Sequence, residues 1–242
     1  MGIQYTKFSS VGFIKTINED AIDIVETEGG VLFMLCDGMG GVKGAELPAQ
    51  LAIKSIKTFF CTYTDDDYLD RLKSAIAETN DFIYNRINGN TGKIKPATTI
   101  ELLYLKSNTA YIAHVGDSRI YHQKNGQLRQ LTKDHSLVQK LVDEGLLTMN
   151  EAEVHPDKNV VLKAIGDKGI IDADLIKLKL NEYDMNRFFI CSDGVTNLIS
   201  NEEIAELLKS TDCNNIITEL PELIRSRGAS DDYSFIYIEN VR

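Results

Sequence analysis

The hydrophobic pattern changes period several times along the chain. Alternating or wholly apolar runs predict strands over residues 3–9, 21–27 and 31–36, and the last is apolar enough to be buried on both faces. Helical spacing takes over in the next two segments. Over residues 46–60, Leu47, Leu51 and Ile56 recur with either Ile53 or Lys54 between them. Over residues 68–87, Leu69, Leu72, Ile76, Thr79, Ile83 and Ile87 form a core-facing stripe. Strands follow at 98–105, 109–115, 119–122 and 128–131, with Lys124-Asn125-Gly126 as a hairpin turn between the last two. A polar, helix-forming stretch covers 136–153. Strands at 176–180 and 187–191 precede helices at 201–209 and 213–225, and a strongly alternating strand closes the pattern at 233–239. Hairpin-joined strands with paired helices favour an α+β class with antiparallel sheets covered by helices, not a βαβ succession.

The 242 residues are 43% hydrophobic and 26% charged, enough for a substantial core. Without a linker, repeat or low-complexity tract, a single domain over 1–242 is expected. The net charge of −10 argues against a nucleic-acid partner, which would require clustered Lys and Arg. It also sets a problem for an anionic substrate, which bound divalent cations solve locally by inverting the field. No apolar run approaches the roughly 20 residues of a membrane helix, and no signal-peptide core opens the chain. Cys36, Cys61, Cys191 and Cys213 have neither zinc-site nor disulfide spacing, which points to thiols in a reducing cytoplasm.

Short acidic segments add candidate chemistry: Asn18-Glu19-Asp20, Asp37-Gly38-Met39-Gly40-Gly41, Gly116-Asp117-Ser118-Arg119, Ser192-Asp193-Gly194 and Asp231-Asp232. Asp37, Asp117 and Asp193 each follow an apolar strand. A lone Asp-Gly is usually a turn, but carboxylates at several strand ends can converge on one rim of a sheet. Oxygen ligands of this kind suit the hard cations Mg²⁺ and Mn²⁺. Gly40-Gly41 followed by Lys43 lacks P-loop spacing and reads as a tight turn.

In order along the chain, Val11-Gly12, Asn18-Glu19-Asp20, Asp37-Gly38-Met39-Gly40-Gly41, Ala97-Thr98-Thr99, Gly116-Asp117-Ser118-Arg119, Asp134-His135-Ser136, His155-Pro156, Ser192-Asp193-Gly194 and Ser230-Asp231-Asp232 form a series. The series resembles the metal-dependent protein phosphatases of type 2C in their compact bacterial form, from Val11 to the C-terminus. The resemblance implies two packed antiparallel β-sheets with helix pairs on their outer faces. It implies a serine/threonine phosphatase that holds two Mn²⁺ or Mg²⁺ ions, with a third as an option, and uses water as the nucleophile. Carried over, Asp37 bridges two ions, the Gly38 carbonyl meets the second, and Asp193 and Asp231 complete the first. Glu19 and Asp20 hold metal-bound waters, with Glu19 also a candidate direct ligand, and Asp117 joins Asp193 at the third ion. Phosphorylated proteins are the implied partners, with a cognate Ser/Thr kinase and a monomeric state. Residues 134–166 correspond to a flap beside the site and read as a mobile insertion.

Several positions depart from the pattern or stay open. Lys15 stands where the family carries a phosphate-binding Arg; it either binds phosphate without the bidentate fork or is a solvated strand-end lysine. Met39 replaces a histidine proposed as general acid in eukaryotic relatives, so leaving-group protonation falls to metal-bound water or a histidine not yet placed. His114, His122, His135 and His155 read as structural. Arg119 reads as a buried ion pair or a brace within the sheet, Thr98 and Thr99 as strand packing, and Asp232 as an outward-pointing turn residue, with added charge near the site as its alternative. Two other functions compete with the phosphatase: a catalytically weak or silent relative that binds phosphoproteins, and a two-metal phosphodiesterase on another fold.

Overall fold

The computed structural model describes residues 2–39, 46–63, 67–88 and 96–241. Gly40, Gly41 and Lys43, expected in a tight turn, lie outside the described residues. The strands are β1 (Gln4–Ser10), β2 (Asp20–Thr27), β3 (Gly30–Met39), β4 (Ala97–Thr98), β5 (Ile100–Lys106), β6 (Thr109–Val115), β7 (Arg119–Lys124), β8 (Gln127–Gln130), β9 (Asp174–Lys179), β10 (Asn186–Cys191) and β11 (Tyr233–Val241). The helices are α1 (Glu46–Thr62), α2 (Tyr68–Ile83), α3 (Leu137–Asp143), α4 (Met149–Glu153), α5 (Asp193–Thr196), α6 (Asn201–Ser210) and α7 (Ile216–Ser226).

One sheet has the order β1-β11-β10-β7-β8. The other runs β2-β3-β5-β6-β9, with β4 added to β3, and every pairing is antiparallel. Three apolar clusters fill the spaces between four layers. Leu32, Met34 and Leu102 pack against Ile56, Phe60, Leu72 and Ile76 of α1 and α2. Phe189, Phe235 and Tyr237 meet Ile204, Leu208, Leu220 and Ile224 of α6 and α7. Between the sheets, Phe33, Leu35, Leu103 and Ile112 face Ile120, Phe188, Ile190, Ile236 and Ile238. Successive strand residues point to opposite faces, so β3 buries Leu32 to Cys36 on both sides, as its apolar run predicts. The fold is α+β with the α-β-β-α layering that the resemblance implies.

Several details differ from the sequence expectation. The buried face of α1 is Ala49, Ala52, Ile53, Ile56 and Phe60, while Leu47 is 44% exposed. The small alanines let the helix lie close to the sheet, and a pattern keyed to large side chains misses them. The helix expected over 68–87 gives way to a π-helical turn at Tyr84–Asn88. The strand expected at 98–105 breaks at Thr99, and β3 runs on through Asp37, Gly38 and Met39. The mobile insertion expected at 134–166 is instead stitched down. Ser136 bridges to Val161, Leu162 N–H donates to the His135 carbonyl at 2.7 Å, and Thr98 pairs with Ile165. Its helices are capped, α3 by Ser136 and α4 by a Thr148–Glu151 capping box.

Candidate active site

The carboxylates gather where the space between the sheets runs out of apolar side chains. Asp37 keeps the parity of Phe33 and Leu35 on β3, and so points toward the other sheet. Asp20 lies directly across from it in the β2–β3 register. Ser192 follows Ile190 on the same face of the opposite sheet, and its hydroxyl donates to Asp20 Oδ2 at 2.9 Å. The Ser192 Oγ also accepts from Ser234 N–H at 3.0 Å, tying the ends of β10 and β11 together. Asp193 starts α5, a four-residue helix absent from the sequence expectation.

Backbone hydrogen bonds fix Asp37. Its N–H donates to Thr99 Oγ1 at 2.9 Å, and its carbonyl accepts from Thr98 Oγ1 and Thr99 N–H, each at 2.9 Å. Gly38 N–H donates to the Glu19 carbonyl at 3.1 Å. Thr99 Oγ1 also meets Ser118 Oγ at 3.0 Å, beside Asp117. Thr98 and Thr99 thus hold the site together as well as packing the strand. The threonine pair stands in the motif series, but nothing local in it announces this role. Gly116 turns the chain before Asp117 at φ +121°, and a Cβ there would sit 2.5 Å from the Thr99 side chain.

Asp231 and Asp232 divide differently from expectation. Asp232 was expected to point outward, but it is 2% exposed and accepts from Gly12 N–H at 2.9 Å and Glu19 N–H at 2.8 Å. Those two unpaired amides draw the carboxylate inward. Asp231 stays partly exposed, and its Oδ1 lies 2.5 Å from Lys15 Nζ. The Lys15 ammonium also meets Glu19 at 2.9 Å and Asp232 at 3.5 Å. It is therefore not a solvated strand-end lysine. Burial works against its charge, yet Asp231 and Glu19 outweigh that and hold the pKa well above the ordinary lysine value.

Arg119 forms an ion pair with Asp134, which lies beyond β8 and outside the sheet and accepts from Nε at 2.9 Å and from Nη2 at 2.7 Å. The histidines take structural partners. His122 meets Asn186, and His155 Nδ1 accepts from Asp157 N–H. His114 pairs with buried Glu101, and its Nε2 lies 2.9 Å from the Lys133 carbonyl. His135 stacks on His114 and accepts from Gly116 N–H at 3.0 Å. Cys36 and Cys191 are buried in the two helix-facing clusters, and burial raises both thiols far from the reactive thiolate range.

The electrostatics ask for a cation. Burial and then neighbouring Asp193 and Asp232 push Asp20 up to about 7. Burial, Asp193 and Asp134 push Asp117 up to about 8. Asp37 also rises well above the usual carboxylate range, through burial and then Asp20, Asp193, Asp117 and Asp231. Asp193 also rises, through burial and Asp231, while hydrogen bonds to Asp37 and Asn197 oppose the shift. Asp20 Oδ1 is buried with no hydrogen-bond partner. Among the described residues no three acidic, thiol or imidazole groups already stand in ligating geometry; at Glu19, Asp231 and Asp232 the Lys15 ammonium fills the space between them. The donor set nonetheless fits a hard divalent cation: all oxygen, mutually repelling and with one buried lone pair unused.

The sequence pattern of the family described as Protein phosphatase 2C matches residues 15–229. The chain belongs to the protein phosphatase 2C family. It is 32% identical over 239 residues to a putative 2C-type phosphatase of Streptococcus pyogenes, covering 96% of this chain and 95% of that protein. The serine/threonine phosphatase PstP of Mycobacterium tuberculosis is 29% identical over 99% of this chain, which spans 45% of PstP's length. Among solved structures, Stp1 from Staphylococcus aureus superposes with a TM-score of 0.91 at 29% identity, covering 99% of this chain and 95% of Stp1. The PstP catalytic domain, solved with two manganese ions, gives 0.85 at 28% identity, covering 98% and 97%. Protein phosphatase 2C enzymes are thus this chain's relatives in sequence and in fold. Among the described residues no helix is long and apolar enough to cross a membrane.

Proposed function

We propose that the chain is a serine/threonine protein phosphatase, a single catalytic domain over residues 1–242. It hydrolyses phosphoserine and phosphothreonine in proteins with Mn²⁺ or Mg²⁺. One observation carries this reading: Asp20, Asp37, Asp117 and Asp193 are pressed together at the end of the inter-sheet core with raised pKa values. Folding places like charges where protons or bound cations must offset their repulsion, and divalent cations can do so with every carboxylate ionised.

Asp37, the Gly38 carbonyl, Asp193 and Asp231 are the ligands of two core ions in this reading. Glu19 and Asp20 orient water around them, and Asp117 with Asp193 offers a third site. Bound there, paired divalent cations supply Lewis acidity: they neutralise phosphoryl charge and activate water for in-line attack. The chain's own residues perform the positioning. Thr98 and Thr99 lock the Asp37 backbone, Ser192 orients Asp20, and Asn197 Nδ2 donates to Asp193 Oδ2 at 3.0 Å. Lys15 contributes a positive charge at the site's edge for capturing the phosphate dianion. Phosphoproteins made by a cognate Ser/Thr kinase are its substrates, and it acts as a cytoplasmic monomer.

A phosphothreonine peptide and a chelator test this reading. Phosphate release is expected with Mn²⁺, to stop in excess EDTA and to return on adding Mn²⁺, with no phosphorylated enzyme intermediate. Full turnover in EDTA, or a trapped phosphocysteine, contradicts it. A Mn²⁺-loaded, folded chain that binds the peptide without releasing phosphate is instead a silent relative.

A further inference from the structure

Asp232 does more than neutralise Lys15. Its two carboxylate oxygens take the N–H groups of Gly12 and Glu19, the two ends of the loop between β1 and β2. Phe13 N–H donates to the Ala229 carbonyl at 2.7 Å, Asn18 Nδ2 donates to Ser9 Oγ at 2.7 Å, and Asn18 Oδ1 accepts from Asp20 N–H at 3.0 Å. Gly12 presses so closely on Asp231 that an added Cβ would lie 2.5 Å from its carbonyl carbon. The loop backbone is thus clamped to the site, yet its apolar side chains face solvent. Phe13 is 62% exposed, Ile14 80% and Ile17 53%. Lys15, in the middle of this set, points the other way into the carboxylates. A rigid backbone that leaves three large apolar groups in water around a reaction site is a feature of recognition surfaces.

We propose that Phe13, Ile14 and Ile17 form an apolar docking rim for the uncharged, apolar residues that flank the phosphorylated serine or threonine of a protein substrate. This inference rests on the phosphatase reading of the adjoining site. The occupant follows from position and charge. A phosphoryl group that reaches Lys15 brings its neighbouring residues up to the loop on which Phe13, Ile14 and Ile17 stand exposed. Acidic flanks are repelled by the carboxylate cluster and by a chain of net charge −10. Basic flanks are drawn to the net negative charge of the molecule, but the loop offers them no acid, since its ionisable group between Val11 and Asn18 is Lys15, and it presents apolar side chains instead. An anionic membrane is a poor fit as well, because that lysine is already engaged by Glu19, Asp231 and Asp232.

The test compares phosphothreonine peptides of equal length flanked either by Leu and Ile or by Ser and Gly, with p-nitrophenyl phosphate as a substrate that has no flanks. The wild-type chain with Mn²⁺ is expected to favour the apolar peptide about tenfold in kcat/KM. A Phe13→Ser/Ile14→Ser variant is expected to abolish that preference through KM rather than kcat. Equal use of the two peptides by the wild type, or an undiminished preference in the variant, overturns the rim while leaving the phosphatase reading intact. Failure of the wild type to hydrolyse any of the three substrates overturns both. Flotation of the wild type with phosphatidylserine vesicles, lost in the variant and accompanied by an unchanged peptide preference, assigns the loop to a membrane surface and also overturns the proposal.

Discussion

Lys15 holds its ammonium 2.5 Å from Asp231 and 2.9 Å from Glu19, so a phosphate dianion must compete with two carboxylates for it. A point charge on a flexible stem can turn between partners, whereas a guanidinium engages an anion through a planar fork. Lys15→Arg is therefore expected to lower KM for a phosphopeptide. Lys15→Ala is expected to raise it by an amount worth about 1–3 kcal/mol. Steady-state kinetics on both variants check this, and an unchanged KM in both removes Lys15 from substrate capture. Asp231 and Asp232 show where residue-level reading stops. They are identical and adjacent, and what separates them is a pair of amides contributed by Gly12 and Glu19, more than two hundred positions away in the chain. No local pattern carries that information.

At the scale of elements, Gly194 links α5 to the start of β11. A Cβ on it would lie 1.9 Å from the Asp232 carbonyl oxygen, so Gly194→Ala must push the helix and the strand apart. The expected loss is on the order of 1–3 kcal/mol of stability, measured by denaturant unfolding, together with most of the activity. Unfolding and turnover equal to wild type contradict the close approach. The neighbouring strands β5 and β6 carry a different device, the buried Glu101–His114 pair. Burial, joined by Asp134 and Asp174, pushes Glu101 up to about 7 against the pull of His114. Burial alone would lower His114, but Glu101 outweighs it and raises the imidazole. Both groups hold protons more tightly folded than unfolded, so their contribution is full below the ordinary glutamate value of 4.5 and is lost as pH rises from there through about 7. The thermal stability of the wild type is expected to fall from pH 5 to 8, with a flatter profile for Glu101→Gln; parallel profiles contradict the assignment. Strands β3, β6 and β10 were legible because long apolar runs state their own period. Helix α5 was not, since four residues hold too little pattern, and the seating of α3 and α4 depends on long-range bonds such as Leu137 N–H to the Val160 carbonyl.

Across the whole molecule, the two sheets work as a device for bringing distant carboxylates together. Alternation along β3 carries one face from Phe33 and Leu35 to Asp37, while Ile190 is followed on the same side by Ser192. The core therefore ends in the site, and packing that excludes water from Phe33 and Ile190 also desolvates Asp20 and Asp37. The acidic segments and their positions after apolar runs were legible in the sequence. The supporting role of Thr98, Thr99, Ser118 and Ser192 was not, because a hydroxyl side chain in or beside a strand end carries no local sign of the site it will brace. The most direct test of the central claim is the Mn²⁺-dependent rate of phosphate release from a phosphothreonine peptide by Asp193→Asn beside the wild type. Circular dichroism should confirm that both are folded. A fall in kcat of about 10³-fold is the predicted result, and near-wild-type turnover in the folded variant would contradict it.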